Sequence, residues 1–436
     1  MKEAIKKAVA EAAIAYGAEG YEIKIGSFTS AAVEALKDDI SSVTYEKSTS
    51  ISVRCVKGGK SGYASGNIVT PEEASELVRR ACESALVVDD ADEVPLFEGS
   101  PEYKQVEKKE VIIPSAEEMI KETMDVQTKL MASDKVVEGS QSFMQVSASE
   151  SSFFNSAGLD LSYESGYVAK GAVAAVKDGD DAEENYEMKF ADEISNDELV
   201  KLAHEGALAK LGGKPVDSGK YNIILDNGAM RSILAVFSGV FSARSAFLKT
   251  TLLAGKEGEK IAADIVTLID DPFHPKKFGH CPFDAEGVAV YTKNVIENGV
   301  LQTLLYNRMY AKKFDKETTG NATSAKNIGV QGLYLKEGEL TPDELLEKLG
   351  DGLYITDLSG LHAGVNAVSG DFSLQAAGFL VEGGKKTRAV KNITVADNFY
   401  KFLFKVTAIA NNLSFGTGST YGAPDVMFSD ISVSGN

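Results

Sequence analysis

KNVIENGVLQTLL, residues 293–305, decides how the second half of this chain reads. Apolar runs flank Asn298-Gly299, and Asn-Gly is the pair that best accepts positive φ at both centres of a two-residue type I′ turn. The stretch therefore predicts an antiparallel hairpin. FLVEGGKKTRAV (379–390) predicts another, with the short basic run KKTR at its tip. From Tyr221 onward such glycine-rich β segments dominate, broken by a short helix capped at Thr341-Pro342-Asp343-Glu344 and a last helix expected over 396–410.

Upstream the texture is mixed. Ile5, Val9, Ala12 and Tyr16 mark one face of an opening helix that Gly17 to Gly20 ends. YEIKI (21–25), AAVEAL (31–36), ISSVTYE (40–46) and ISVRCV (51–56) read as short strands separated by turn formers. Thr70-Pro71-Glu72-Glu73 starts a helix to about residue 86, and VVDDADEVPLFEGSPEY (87–103) reads as an acidic linker. Ser115 to Glu118 opens a helix reaching about residue 132. Two long strands then meet across NSAG (155–158), and Ser195 to Glu198 caps a helix that stops at Gly212-Gly213. The fold class is α+β: a mixed N-terminal α/β region followed by a glycine-rich, mainly antiparallel β C-terminal domain with few helices. At 436 residues more than one domain is expected, placed at 1–100, 114–215 and 221–436.

Charge narrows the function. With 45 basic against 64 acidic residues the net charge is −19, which opposes direct contact with nucleic acid or an anionic membrane. No run reaches the length of a membrane span. Glu3 and Glu11 interrupt the apolar stretch a signal peptide requires, so a soluble, cytoplasmic protein is expected. The three cysteines, Cys55, Cys82 and Cys281, form no C-x-x-C pair and read as reduced thiols.

Catalytic patterns are sparse. His204-Glu205 lacks a second histidine one turn on, where Leu208 stands, and reads as a helix-surface pair. His274, His280 and Cys281 lie close together in DPFHPKKFGHCPFD (271–284), and all three are metal-capable, but their spacing matches no zinc pattern. A packed loop is the plainer reading, with a stand-alone hydrolase built on these three as the alternative. Asp270-Asp271 and Asp284/Glu286 have general acid and base chemistry, yet in so acidic a chain they read as solvated turns. His362, in SGLHAGVN, has no partner the sequence identifies. No G-x-S-x-G elbow or phosphate-binding loop is present.

ILAVFSGVFSAR (233–244) reads as a helix with Ile233, Leu234, Phe237, Val240 and Phe241 at core spacing and Ala235, Gly239 and Ser242 as a small side. GVNAVSGDFSLQAAGFLVE (364–382) reads as a tight turn feeding a strand, near an interface or groove. Gly364, Val365, Asn366, Ser369, Gly370, Asp371, Phe372 and Ser373 are the candidate lining residues.

GVNAVSGDFSLQAAGFLVE, FDAEGVAVYTKNVIENGVLQTLLYN (283–307), TGNAT (319–323), NNLSFGTGSTYGAPDVMFSDISVSG (411–435) and FNSAGLDLSYESG (154–166) together resemble the TldD/PmbA family, in its PmbA branch, also called TldE. The resemblance implies a heteromeric cytoplasmic protease. In it a TldD subunit binds zinc through H-E-x-x-x-H and a C-terminal cysteine, while TldE lacks the ligands. Laid on that pattern, Ala235, Val236 and Val240 stand where the histidine, glutamate and histidine would be, and residues 411–424 hold no cysteine. The resemblance thus implies a metal-free, non-catalytic chain with zinc only in a TldD-like partner, and unfolded peptides as substrates. A homodimer is the alternative state of the isolated chain. A peptide-binding or assembly module without proteolysis is the competing reading. The family's label as a modulator of DNA gyrase points to nucleic acid, which the charge opposes.

Overall fold

The computed structural model describes residues 2–67, 70–87, 94–106 and 111–436. Along the first half run α1 (Lys2–Ala15), β1 (Gly20–Leu36), β2 (Asp39–Lys57), β3 (Lys60–Asn67), α2 (Pro71–Val87), α3 (Ala116–Met131), β4 (Gln141–Asn155), β5 (Asp160–Asp178), β6 (Asp181–Phe190) and α4 (Asn196–Lys210). The six strands form one antiparallel sheet in the order β3-β2-β1-β4-β5-β6, joined across its middle by β1 and β4.

The four short strands expected over 21–56 are in fact two long ones. Their ladder is unbroken from Gly20↔Val56 to Leu36↔Asp39 apart from one bulge at Glu34/Ala35. Gly26 to Ser30 and Lys47 to Ser50 look like turn formers, but opposite one another in register they are ladder residues. On α1 the buried residues are Ile5, Val9, Ala12 and Ala13, whereas Tyr16 lies past the helix end and is 39% exposed. Capping works as read: Ser115 and Glu118 close a full capping box on α3, Ser195 caps α4, and Thr70 and Glu73 bond each other's backbone N–H at the start of α2.

All four helices cover one face of this sheet. Side chains alternate along a strand, so Ile23 and Val33 on β1 and Met144 and Phe154 on β4 point the same way. α1 and α2 pack on Ile23, Val53 and Phe154, and α3 packs on Val33, Met144 and Val146. α4 covers Ala172, Ala174 and Val176. The opposite face, with Glu22, Lys24, Phe153, Tyr163 and Tyr167, is left for the second half of the chain. The stretch read as a linker contributes here. Its residues 88–93 lie outside the described residues. Further on, Phe97 O accepts from Asn155 Nδ2 at 2.7 Å and Tyr103 Oη donates to Gly287 O at 2.7 Å, which ties the crossing chain to both halves.

The second half holds β7 (Gly219–Leu225), α5 (Asn227–Phe237), α6 (Ala243–Phe247), β8 (Leu268–Asp270), β9 (Lys293–Glu297), β10 (Val300–Leu301), α7 (Arg308–Phe314), β11 (Leu333–Leu335), α8 (Pro342–Leu349), β12 (Gly352–Ser359), β13 (Asp371–Glu382), β14 (Lys385–Asn398), α9 (Phe399–Phe402), β15 (Val406–Ile409), β16 (Ser414–Phe415), β17 (Tyr421–Ala423) and β18 (Val426–Ser434). One sheet runs β14-β13-β12-β7-β18-β15 and closes through a further β14–β18 pairing, so it is barrel-like. Closure removes most free edges. A second sheet runs β10-β9-β8-β11-β17-β16. Pairing is antiparallel throughout except β7–β12 and β11–β17. Both predicted hairpins form, the first with Asn298 at φ 49° and Gly299 at φ 79°, as a type I′ turn requires.

The helix expected over 396–410 is absent. β14 continues to Asn398, α9 is a single turn, and β15 follows. Ile393 and Val395 are buried alternately in the ladder, and that period of two overrides the helical reading of the next residues. Among the described residues no helix is long and apolar enough to cross a membrane.

Candidate functional site

β7 runs directly into α5 through Asp226, whose carboxylate accepts from Ala229 N at 2.7 Å and caps the helix. Ile233, Leu234 and Phe237 are buried, and Phe237 stacks on Phe399 with centroids 4.3 Å apart. The continuous helix expected over 233–244 is interrupted. α5 ends at Phe237, Ser238–Phe241 is a 3-10 turn, and α6 starts afresh under a cap from Ser242. Ser238 and Gly239 are weak helix formers, and the Ser238 hydroxyl bonds back to Ala235 O at 2.9 Å. Consequently the three positions that the resemblance sets against a metal motif do not share an aspect: Ala235 is exposed, Val236 half-buried, and Val240 is 1% exposed in the core.

The C-terminal glycine-rich segment lies beside this helix. Arg231 Nη1 donates to Ser414 O at 3.3 Å and the Tyr421 hydroxyl sits 2.9 Å from Ser238 Oγ. The same segment reaches the first sheet, where Thr417 Oγ1 donates to Met188 O at 2.9 Å. It therefore bridges α5 and the face of the sheet that no helix covers.

That face and the loop carrying His274, His280 and Cys281 enclose two clefts. One, about 790 Å³, runs along Lys24, Ser52, Phe153 and Tyr163 to Cys281 and Asp284. The other, about 330 Å³, lies between Tyr167, Lys277, Phe278 and Thr420 and also touches Cys281. The loop is packed, not poised for chemistry. His274 accepts from Lys276 N at its Nδ1 and packs against the rings of Tyr334 and Phe415, which also touch each other. His280 Nε2 bonds the His274 carbonyl at 3.1 Å, not its ring. Burial pushes the Cys281 thiol up to about 11, and the thiol donates to Phe283 O at 3.0 Å. Among the described residues neither histidine bonds the sulfur, so no thiolate–imidazole pair forms. Among the described residues no group of three or more His, Cys, Asp or Glu side chains has metal-binding geometry. His204, on α4, meets the Asp134 carbonyl at 2.7 Å, and His362 is exposed.

Three of the four acidic residues correct the reading as solvated turns, Asp271 being only half-buried. Asp270, Asp284 and Glu286 are 0%, 4% and 8% exposed. Asp284 accepts three backbone N–H groups, from Glu286, Val288 and Ala322. Glu286 accepts Arg308 N at 2.8 Å. Across the joint Asp284 and Glu286 feel the charge of Lys24, and Arg308 that of Glu22 and Arg54, on the open sheet face, where Arg54 Nη1 lies 3.7 Å and Lys24 Nζ 3.9 Å from the Glu22 carboxylate. This buried charge cluster is what sequence reading missed. Its one local signal is the alternation of Glu22 and Lys24 with Tyr21, Ile23 and Ile25 in YEIKI.

Burial, reinforced by the Asp284 charge, pushes the Glu286 carboxyl up to about 7, while Arg308 N, the Arg308 guanidinium and Lys24 oppose it. A carboxyl whose folded pKa lies above its unfolded 4.5 binds more protons when folded. Stability therefore falls as pH rises between those two values and stays low above them. Glu286→Gln keeps the acceptor for Arg308 N and removes the titration. We expect urea midpoints that match wild type at pH 4.5, and at pH 8 a variant more stable by about 2–4 kcal/mol.

Residues 364–373 form the expected turn. Val365 bridges Phe372, Asn366 Oδ1 accepts from Val368 N and Ser369 N, and Ser373 N donates to Gly364 O at 2.8 Å. Asn398 Nδ2 ties it down by donating to Ser369 O and to the Asp371 carboxylate, each at 2.8 Å. Gly370, at φ 85°, sits against the Tyr400 ring, where a Cβ would come within 2.5 Å.

The helix-backed sheet is thus docked on the second half of the chain with two clefts at the joint. Residues 218–435 match the PmbA/TldA metallopeptidase C-terminal domain and residues 21–85 match domain 1 of the same group. The chain belongs to the PmbA/TldD family. It is 25% identical to the metalloprotease PmbA homolog of Haemophilus influenzae, covering 100% of this chain and 96% of that one. Its fold matches the crystal structure of a proposed modulator of a DNA gyrase from Thermotoga maritima with TM-score 0.91 and 28% identity, over the whole of both chains. It also matches TldE from Thermococcus kodakarensis with TM-score 0.89 and 22% identity, over 99% of this chain and 100% of that one, a likeness of fold.

Proposed function

We propose that this chain is the metal-free, non-catalytic, TldE-like member of a two-protein cytoplasmic zinc peptidase that degrades or processes unfolded peptides, with the zinc held by a TldD-like partner. The observation that carries this is chemical: in a chain of a metallopeptidase family, Ala235, Val236 and Val240 offer hydrocarbon where imidazole and carboxylate lone pairs are needed. The packed geometry of His274, His280 and Cys281 supplies no substitute machinery. Substrate is bound as an extended strand, recognised through main chain more than side chain, with the turn at 364–373 lining the chamber or the joint. The net charge of −19 keeps direct DNA contact out of this reading.

The test is reconstitution. The purified chain alone is expected to carry far less than one zinc per molecule by elemental analysis and to leave casein intact. Mixed with a family member bearing H-E-x-x-x-H, it should support casein cleavage that EDTA abolishes. Casein digestion by the isolated chain, stopped by EDTA, overturns the proposal. Copurification without any cleavage supports an assembly module instead.

A further inference from the structure

The exposed apolar residues of the second half are gathered in one place. Beyond residue 216, seven large hydrophobic side chains are strongly exposed among the described residues, and six of them, Phe247, Leu248, Leu252, Ile265, Val368 and Phe404, belong to segments that touch. The Tyr400 hydroxyl accepts from Leu252 N at 3.2 Å and donates to Ala367 O at 3.3 Å, which draws the backbone at Leu252 and the backbone next to Val368 to one hydroxyl. Ala263 N donates to Leu403 O at 3.1 Å, which brings Ile265 to Phe404. The patch starts just after the 3-10 turn that carries Val240, since Ser245 Oγ donates to Gly239 O at 2.8 Å. Scattered exposed hydrophobics need no explanation, but a contiguous group on a well-packed domain marks a surface that another molecule covers.

Its charges say what kind. Arg244 and Lys249 are exposed and make no ion pair among the described residues, Lys313 Nζ lies 4.8 Å over the Phe247 ring, and Lys401 follows Tyr400. Asp264 is paired with Lys260 at 2.7 Å, whereas Asp371, held only by the neutral Asn398 amide at 2.8 Å, keeps its negative charge at the Val368 end, so the cationic side of the rim is the one at Arg244 and Lys249. An apolar centre with a cationic rim, on a chain of net charge −19, favours a carboxylate-rimmed apolar surface. A second copy meeting the same patch face to face would set this cationic rim against itself.

We propose that the face formed by Phe247, Leu248, Leu252, Val368 and Phe404, rimmed by Arg244 and Lys249, docks a different protein chain that presents an apolar centre with an acidic rim. Resting on the partnership proposed above, that chain is the metal-bearing subunit. The turn at 364–373 is then part of a protein joint through Val368, and the helix that carries the hydrocarbon-substituted motif runs up to the same joint.

The test measures binding of the purified chain to a family member bearing H-E-x-x-x-H, by biolayer interferometry at low and high salt. The variants are Leu248→Glu/Leu252→Glu, Arg244→Glu/Lys249→Glu and, as a distant control, Ile14→Glu on α1, where Ile14 is 81% exposed. Circular dichroism melts confirm that each variant folds. Both patch variants are expected to weaken binding by about tenfold or more while the control leaves it unchanged. The charge-reversal loss should shrink at high salt. Wild-type binding retained in both patch variants, or lost equally in the control, overturns this face while leaving the partnership standing. Failure of wild type to bind removes the partnership and this inference with it. Self-association of the wild type in sedimentation, abolished by Leu248→Glu/Leu252→Glu, overturns the choice of a different chain.

Discussion

Asp270→Ala is expected to lower the stability of the second half by about 3–5 kcal/mol, the range found when one member of a buried ion pair is removed. Asp270 is wholly buried, and one of its oxygens receives Lys293 Nζ at 3.2 Å and Asn321 Nδ2 at 2.7 Å. The other receives the backbone N–H groups of Gln331 and Gly332 at 2.8 and 2.7 Å. Alanine leaves four donors short of an acceptor and strands an ammonium that is itself only 8% exposed. Burial already holds the Lys293 pKa below the ordinary lysine value, with the Asp270 charge as the main opposing influence. Without it the lysine must deprotonate or drag water into the sheet. Asp270→Asn, which keeps an acceptor for Gln331 and Gly332, should lose less. Asp270→Asn with Lys293→Met should lose less than Asp270→Ala because no charge is then left unpaired. Urea unfolding at pH 7, followed by circular dichroism, ranks the three. An Asp270→Ala protein as stable as wild type would mean that water reaches this carboxylate.

The same residue shows where reading a sequence stops. Features fixed by neighbours along the chain were legible: the Asn298-Gly299 turn, the boxes at Ser115 and Thr341, and the NSAG crossing are each decided within about four residues. Long-range pairing was not. Gly26 to Ser30 has no local reason to be strand, and is strand because Ser50 to Glu46 lies opposite on one side and Ser151 to Ser147 on the other. Burial of carboxylates is equally nonlocal. Asp284 and Glu286 stay inside because Ala322 N and Arg308 N, far along the chain, come to meet them. Cys55 and Cys82, unremarkable as thiols in sequence, share one core because α2 packs across β2.

The candidate site divides in the same way. The turn at 364–373 was legible, because its glycines and Asn366 close it locally. Its neighbourhood was not: Tyr400, Leu252 and Phe404 join it only through tertiary contacts, and that neighbourhood gives the turn a chemical character. The resemblance sets Ala235, Val236 and Val240 against a metal motif, and the fold gives the orientation of these three residues.

That orientation sets the second large effect. Val240→His should destabilise the chain by about 2–4 kcal/mol, since a larger, polar imidazole replaces a valine that is 1% exposed in the same apolar core as Phe237 and Phe241. Ala235→His, on an exposed position, should change stability by less than about 0.5 kcal/mol. Val236→Glu falls between, because Val236 is half-buried against the same core. The triple variant Ala235→His/Val236→Glu/Val240→His restores the letters of the relative's motif without its geometry. One histidine faces solvent, the other the core, and the segment 411–424 beside the helix holds no cysteine to complete a set. It should therefore melt below wild type and show no zinc-dependent rise in Tm. A zinc-dependent rise together with one bound zinc per chain would show that the 3-10 turn at Ser238–Phe241 rewinds into α5 on loading, and that this helix keeps more of its ligand-bearing shape than its packing implies.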